Sequence, residues 1–187
     1  TNLALSLYAR YLQAFGKEAK LPEDGYHGAD IIQIAENLKE EYGDRFLNVS
    51  QEEAIAYFRK IGTEHELQKI KDILKEFRVV HDVWFSETSL YENNKIEPTI
   101  QKLKDQGYTY ESDGALWFKS TEFGDDKDRV LIKSDGSYTY LTPDIAYHLN
   151  KLDRGYEYLV DLLGADHHGY INCMKADIQA FGYNADQ

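Results

Sequence analysis

The residues with the most chemical capacity are Gly164-Ala165-Asp166-His167-His168-Gly169-Tyr170. They lie between an apolar run and a helical pattern, the place where open α/β sheets bind ligands. Backbone N–H groups at a helix start suit phosphates, and a carboxylate such as Asp166 can accept from a ribose hydroxyl. The bland alternative is a capping Asp followed by two surface histidines. A second group is Tyr140-Leu141-Thr142-Pro143-Asp144. Asp144 falls in a first helical turn, where the helix dipole alone favours a carboxylate. The functional alternative is that Tyr140 and Asp144 converge on one ligand across the cap. A planar guanidinium is best matched by a carboxylate in bidentate geometry with an aromatic or hydroxyl neighbour.

The run Phe123-Gly124-Asp125-Asp126-Lys127-Asp128-Arg129 gathers carboxylates, but not at the spacing of an EF-hand loop. A solvated, self-paired turn is the better reading. His27, His65, His81 and His148 are scattered and carry no metal-ligand spacing.

The elements that must position these groups change character along the chain. Leu3, Leu7, Tyr11 and Phe15 outline a helix that stops at Gly16, and Leu21 to Gly25 is a turn. Ile31, Ile34, Ala35 and Leu38 predict a second helix, ending before Gly43. Ser50 with Glu53 is a capping box that opens a helix to about Lys75, with an interruption expected near Gly62. From Arg78 to Phe85 the chain is β-branched and aromatic and reads as a buried strand, followed by the polar loop 86–89. A short helix from Glu97 to Gln106 precedes two hairpins, 108–118 turning at 111–114 and 130–140 turning at 134–136. Thr142 as N-cap and Pro143 at the first helical position open another helix. Tyr158 to Leu163 reads as a strand leading through Gly164 into a helix from about Tyr170 to Phe181.

Composition bounds the function. With 42 % hydrophobic residues, 15 Tyr and 8 Phe in 187 residues, the chain can bury a core and is not disordered. No stretch approaches the ~18 apolar residues of a membrane span, and no membrane partner is expected. The single cysteine suits a reducing cytoplasm. A net charge of −12 disfavours stand-alone nucleic-acid binding, while an acidic pocket suits a cationic small substrate.

Six segments in order then resemble arginyl-tRNA synthetases of the bacterial kind, over nearly the whole chain. They are 2–6, 22–26, Asp82-Val83-Trp84-Phe85-Ser86-Glu87-Thr88-Ser89-Leu90-Tyr91, 123–130, 140–148 and 164–170. The resemblance implies an α/β fold, a central part of a Rossmann-type class I catalytic domain with a helical insertion and a small α+β hairpin insertion. It divides the chain into 1–77, the helical segment; 78–95, a Rossmann strand and loop; 96–138, the inserted helix and hairpins; and 139–187, Rossmann core with pocket residues. It implies that Tyr140 and Asp144, joined by Glu87, read the arginine guanidinium. Asp166 would lie beside the α-amino group, with Gly164, Asp166, His167 and His168 beside ATP. The implied substrates are L-arginine and ATP with Mg²⁺, and tRNA(Arg) held mainly through other parts of the enzyme.

The His-x-Gly-His and Lys-Met-Ser-Lys-Ser-type ATP signatures of the family are not in this sequence. The chain alone is therefore expected to be inactive, holding no catalytic residue of its own. The alternative class is a metal-dependent phosphoesterase using Asp166-His167-His168, since carboxylate–His clusters bind Mn²⁺ or Zn²⁺. Against it, the Asp-x-Asp and isolated Asp/His motifs of a two-metal site are missing, so no tightly bound metal is expected. A third possibility is a non-catalytic arginine-binding module.

Overall fold

The computed structural model describes residues 1–185, and at His167 and His168 it describes the backbone alone. The chain forms two compact units, Thr1–Asp82 and Val83 onward.

In the first unit, α1 (Asn2–Ala14) packs on both α2 (Ala29–Tyr42) and α3 (Gln51–Glu76). Ala4, Leu7 and Tyr11 on α1 meet Ile31, Ile34 and Leu38 on α2, the i, i+3, i+7 spacing of a helix face turned to a core. Phe46 and Phe58 close that core around the Tyr11 ring. Burial of each such side chain contributes about 1.5–3 kcal/mol. The predicted capping box is half formed: Ser50 Oγ accepts from the Glu53 N–H at 3.2 Å. The interruption expected near Gly62 does not occur, and α3 runs unbroken for 26 residues. Gly62 instead gives room to Leu7, whose Cδ1 lies 2.4 Å from where a Cβ would stand.

In the second unit, β1 (Thr109–Ser112) and β2 (Ala115–Phe118) form the predicted hairpin. Asp113 and Gly114 carry it round with φ of 52° and 73°, the left-handed pair a two-residue turn needs. β3 (Arg129–Ile132) adds antiparallel to β2, making a three-stranded sheet in the order β1-β2-β3. The second predicted hairpin shrinks to one bridge, Ile132 to Tyr138. Against this sheet lie α5 (Ile96–Asp105) and α6 (Leu141–Leu152), and α4 (Thr88–Glu92) and α7 (Ile171–Ala180) pack on α6. Ile96, Ile100, Leu103, Leu116, Phe118, Leu131, Ile145 and Ala176 share one core. The fold is mixed α/β.

Two corrections concern local elements. The strands expected at 78–85 and 158–163 are not formed: both segments are irregular. Val80 is 77 % exposed and Leu162 95 % exposed. A strand needs a neighbour to complete its ladder, and among the described residues no other segment pairs with either. The Rossmann strand expected within 78–95 and the one expected within 139–187 accordingly do not pair among the described residues. The cap of α6 also differs. Tyr140 is the N-cap, and the Thr142 hydroxyl, buried inside the first turn, donates to the Leu131 carbonyl at 2.7 Å. That tertiary acceptor on β3 displaces the local cap.

Candidate functional site

Glu87 and Asp144 are far apart in sequence and meet in the second unit. Glu87 stands at the start of α4, which is anchored by buried Leu90. Asp144 stands in the first turn of α6, whose Leu141, Ile145 and His148 face the core. Both residues line a cavity of about 280 Å³ with Phe85, Leu90, Pro143 and Tyr147. The Phe85 and Tyr147 rings stack at 4.6 Å. The chain's own Arg154 guanidinium lies 5.6 Å and 5.7 Å from those two rings, a distance at which an aromatic face attracts a cation.

Two side chains that no sequence motif announced hold Asp144. The Tyr170 hydroxyl donates to Asp144 Oδ2 at 3.2 Å. His148 Nδ1 lies 2.9 Å from the Asp144 carbonyl, so that nitrogen donates. Its Nε2 lies 3.3 Å from Asp161 Oδ2, and Lys151 Nζ donates to Asp161 Oδ1 at 2.6 Å. Burial would raise the Asp161 carboxyl, but Lys151 and His148 hold it below the usual range. Burial pushes the Tyr170 phenol up, and Asp144 pushes it further. His148, dismissed above as scattered, is therefore part of this network.

The other predicted residues stand apart from the cavity. Tyr140 is 92 % exposed and is not among its lining residues. Gly164 and Asp166 are exposed in the turn that precedes α7 and do not line it either. The side chains of His167 and His168, predicted ATP contacts, lie outside the described residues. The 123–129 loop is self-paired as expected, but not solvated throughout, because the Asp125 side chain is buried. Arg129 grips Asp125 through Nε and Nη2 at 2.7 and 2.8 Å, and Asp128 accepts from Thr121 Oγ1 at 2.7 Å. Burial favours a protonated Asp125, but Arg129 wins and holds its carboxyl well below the usual range. Among the described residues, no cluster of three His, Cys, Asp or Glu side chains could hold a metal ion. Nor is any helix among them long and apolar enough to cross a membrane.

The family described as tRNA synthetases class I (R), catalytic domain, matches residues 17–186. Arginine–tRNA ligase 1 of Halalkalibacterium halodurans is 63 % identical over 186 residues, covering 100 % of this chain and 34 % of that protein. The arginine–tRNA ligase of Bacillus subtilis is 59 % identical over 182 residues, covering 97 % and 33 %. The chain thus spans about a third of the length of the curated relatives it matches. A crystal structure described as an arginyl-tRNA synthetase from Campylobacter jejuni superposes with a TM-score of 0.86 at 34 % identity, over 97 % of this chain and 39 % of that one. An arginyl-tRNA synthetase from Plasmodium falciparum, 15 % identical with a TM-score of 0.60, shares the fold. These relatives give no support to a phosphoesterase. The chain belongs to the class I arginyl-tRNA synthetase catalytic-domain family.

Proposed function

We propose that this chain works as part of an arginine–tRNA ligase and supplies the wall of the pocket that reads the arginine guanidinium. The observation that carries this is the meeting of Glu87 and Asp144 on one cavity walled by Phe85 and Tyr147. Two carboxylates offer charge and paired acceptors to a planar cation, and stacked rings favour its flat face. Tyr140, exposed one turn before Asp144, closes onto the bound side chain. Asp166 stands toward the α-amino group, and the 164–168 turn toward ATP, with Mg²⁺ arriving on the nucleotide's phosphates. Residues 78–95 and 139–187 act as Rossmann core whose strands form in the complete enzyme. Residues 1–77 and 96–138 act as insertions. The substrate's own carboxylate attacks the α-phosphate, so no protein nucleophile is required. Pyrophosphate leaves as the arginyl-adenylate forms; a 3′-terminal hydroxyl of tRNA(Arg) then attacks the arginyl carbonyl, taking the arginyl group while AMP departs. This chain contributes positioning and charge complementarity, and alone it does not activate arginine.

The test is a chimera in which this chain replaces the matching stretch of the Bacillus subtilis enzyme, assayed by arginine-dependent ATP–pyrophosphate exchange. Exchange should be retained. Asp144→Asn should then cost about 2–4 kcal/mol, roughly 30- to 1,000-fold in kcat/KM for arginine, with ATP binding little changed. A folded chimera without exchange, or an Asp144→Asn variant with an arginine KM within about twofold of the parent and kcat intact, overturns the reading.

A further inference from the structure

Asp144 lines the Glu87 cavity, yet nothing in a helix's first turn fixes its carboxylate. The terminal torsion of an aspartate is broad and settles only when a hydrogen bond holds it. Here the holding donor comes from 26 residues away: the Tyr170 hydroxyl reaches Oδ2 at 3.2 Å. The Tyr170 ring is half-buried and packs against the core of the second unit, so the donor itself is fixed. The phenol carries one proton, and this contact uses it. His148 Nδ1 meanwhile secures the backbone carbonyl of the same residue. Tyr170 also closes the 164–170 segment and stands immediately before α7.

We infer that Tyr170 is a positioning residue that sets the Asp144 carboxylate for the guanidinium, tying the 164–170 segment to arginine selectivity. This rests on the guanidinium reading of Asp144 proposed above. With Oδ2 held by the phenol, the carboxylate keeps one orientation, and its remaining acceptor capacity serves the cavity that it shares with Glu87. Without that hydrogen bond the carboxylate would sample several orientations, and arginine binding would carry the cost of ordering it. The effect belongs to arginine binding and leaves the nucleotide aside.

The test uses the active chimera with Tyr170→Phe, Asp144→Ala and the double variant. Phe keeps the packed ring and removes only the donor. Tyr170→Phe should raise the arginine KM roughly three- to tenfold, the range of one lost hydrogen bond, with kcat and the ATP KM held within about twofold. On the Asp144→Ala background the same change should have no further effect beyond about twofold, because nothing remains to position. Normal arginine kinetics in Tyr170→Phe, with arginine weakened by Asp144→Ala, would overturn the inference and leave the guanidinium reading standing. Normal kinetics in both single variants would remove the guanidinium reading and this inference together. An equal loss on both backgrounds, a matching fall in ATP binding, or failure of Tyr170→Phe to fold would assign Tyr170 to packing alone and overturn it.

Discussion

Asp177 is a buried carboxyl without a hydrogen-bond partner, and replacing it should stabilise the protein. It lies on the buried face of α7 with Cys173, Ala176 and Ala180 and is 0 % exposed. Neither carboxyl oxygen has a hydrogen-bond partner. His148 Nδ1 is 3.8 Å away and already donates to the Asp144 carbonyl. Burial pushes the Asp177 carboxyl well above the usual range, and Asp144 and Asp161 push the same way. The Ile178 N–H, which does not reach hydrogen-bond geometry, and Lys151 oppose this without reversing it. Relief of an unsatisfied buried polar group is worth about 1–3 kcal/mol. Ala improves the helix interior by up to about 0.7 kcal/mol, and the small void takes back about 1 kcal/mol. Asp177→Ala should therefore gain about 1–2 kcal/mol at pH 7 by urea unfolding. The pH dependence fixes the sign. Because the folded value lies above the unfolded one, the folded state holds more protons between them. Wild-type stability therefore falls as pH rises through that window, from about 4 upward. Asp125, Asp128, Asp135 and Asp161 are shifted the other way, so they act below that window. The stability advantage of Asp177→Ala should thus grow with pH above about 4 and then level off. A variant less stable than wild type at pH 7, or an advantage independent of pH, would refute the reasoning.

Two further outcomes follow from buried groups near the same core. Arg129→Met strands the fully buried Asp125 side chain and should cost about 3–5 kcal/mol at pH 7 in urea unfolding. The Asp125 carboxyl is lowered in the folded state, so this pair's contribution is present above the ordinary carboxylate range. It is lost as pH falls through the lowered value, and the gap between variant and wild type should narrow in acid; a loss under about 1 kcal/mol at pH 7 would show the pair to be dispensable. The Cys173 thiol is 0 % exposed and pushed up to about 12, chiefly by burial, so a chromogenic disulfide reagent at pH 8 should label it only as fast as the chain unfolds. Immediate stoichiometric labelling of the native protein would contradict that burial.

What the sequence revealed, and what it hid, divides by the range of the interaction. The Ser50 cap, the Asp113-Gly114 turn and the helix stops at Gly16 and Gly43 are settled within a few residues, and each appears where expected. The Asp177 position had a signal too, since Cys173, Ala176 and Ala180 mark the same helix face. The Thr142 cap failed because a carbonyl on β3 competes for its hydroxyl. Gly62 failed because its role is set by Leu7 on another helix. The Tyr170–Asp144 contact spans 26 residues, and no local pattern announces it.

The same distinction explains why one side of the proposed site is assembled and the other is not. Glu87, Asp144 and Tyr170 sit at the starts of α4, α6 and α7. Those helices share a core through Leu90, Ile145 and Ala176, all 0–1 % exposed. That packing involves only residues of the second unit, so the carboxylate cavity needs no parallel sheet to exist. Segments 78–85 and 158–163 have the composition of strands, but a strand's hydrogen bonds belong equally to its neighbour. Unpaired, they leave Val80, Val160 and Leu162 exposed, and the 164–170 segment follows directly from one of them. The side chains on packed helices are thus placed by this stretch of chain itself. A triphosphate held at the ends of parallel strands needs the strands first.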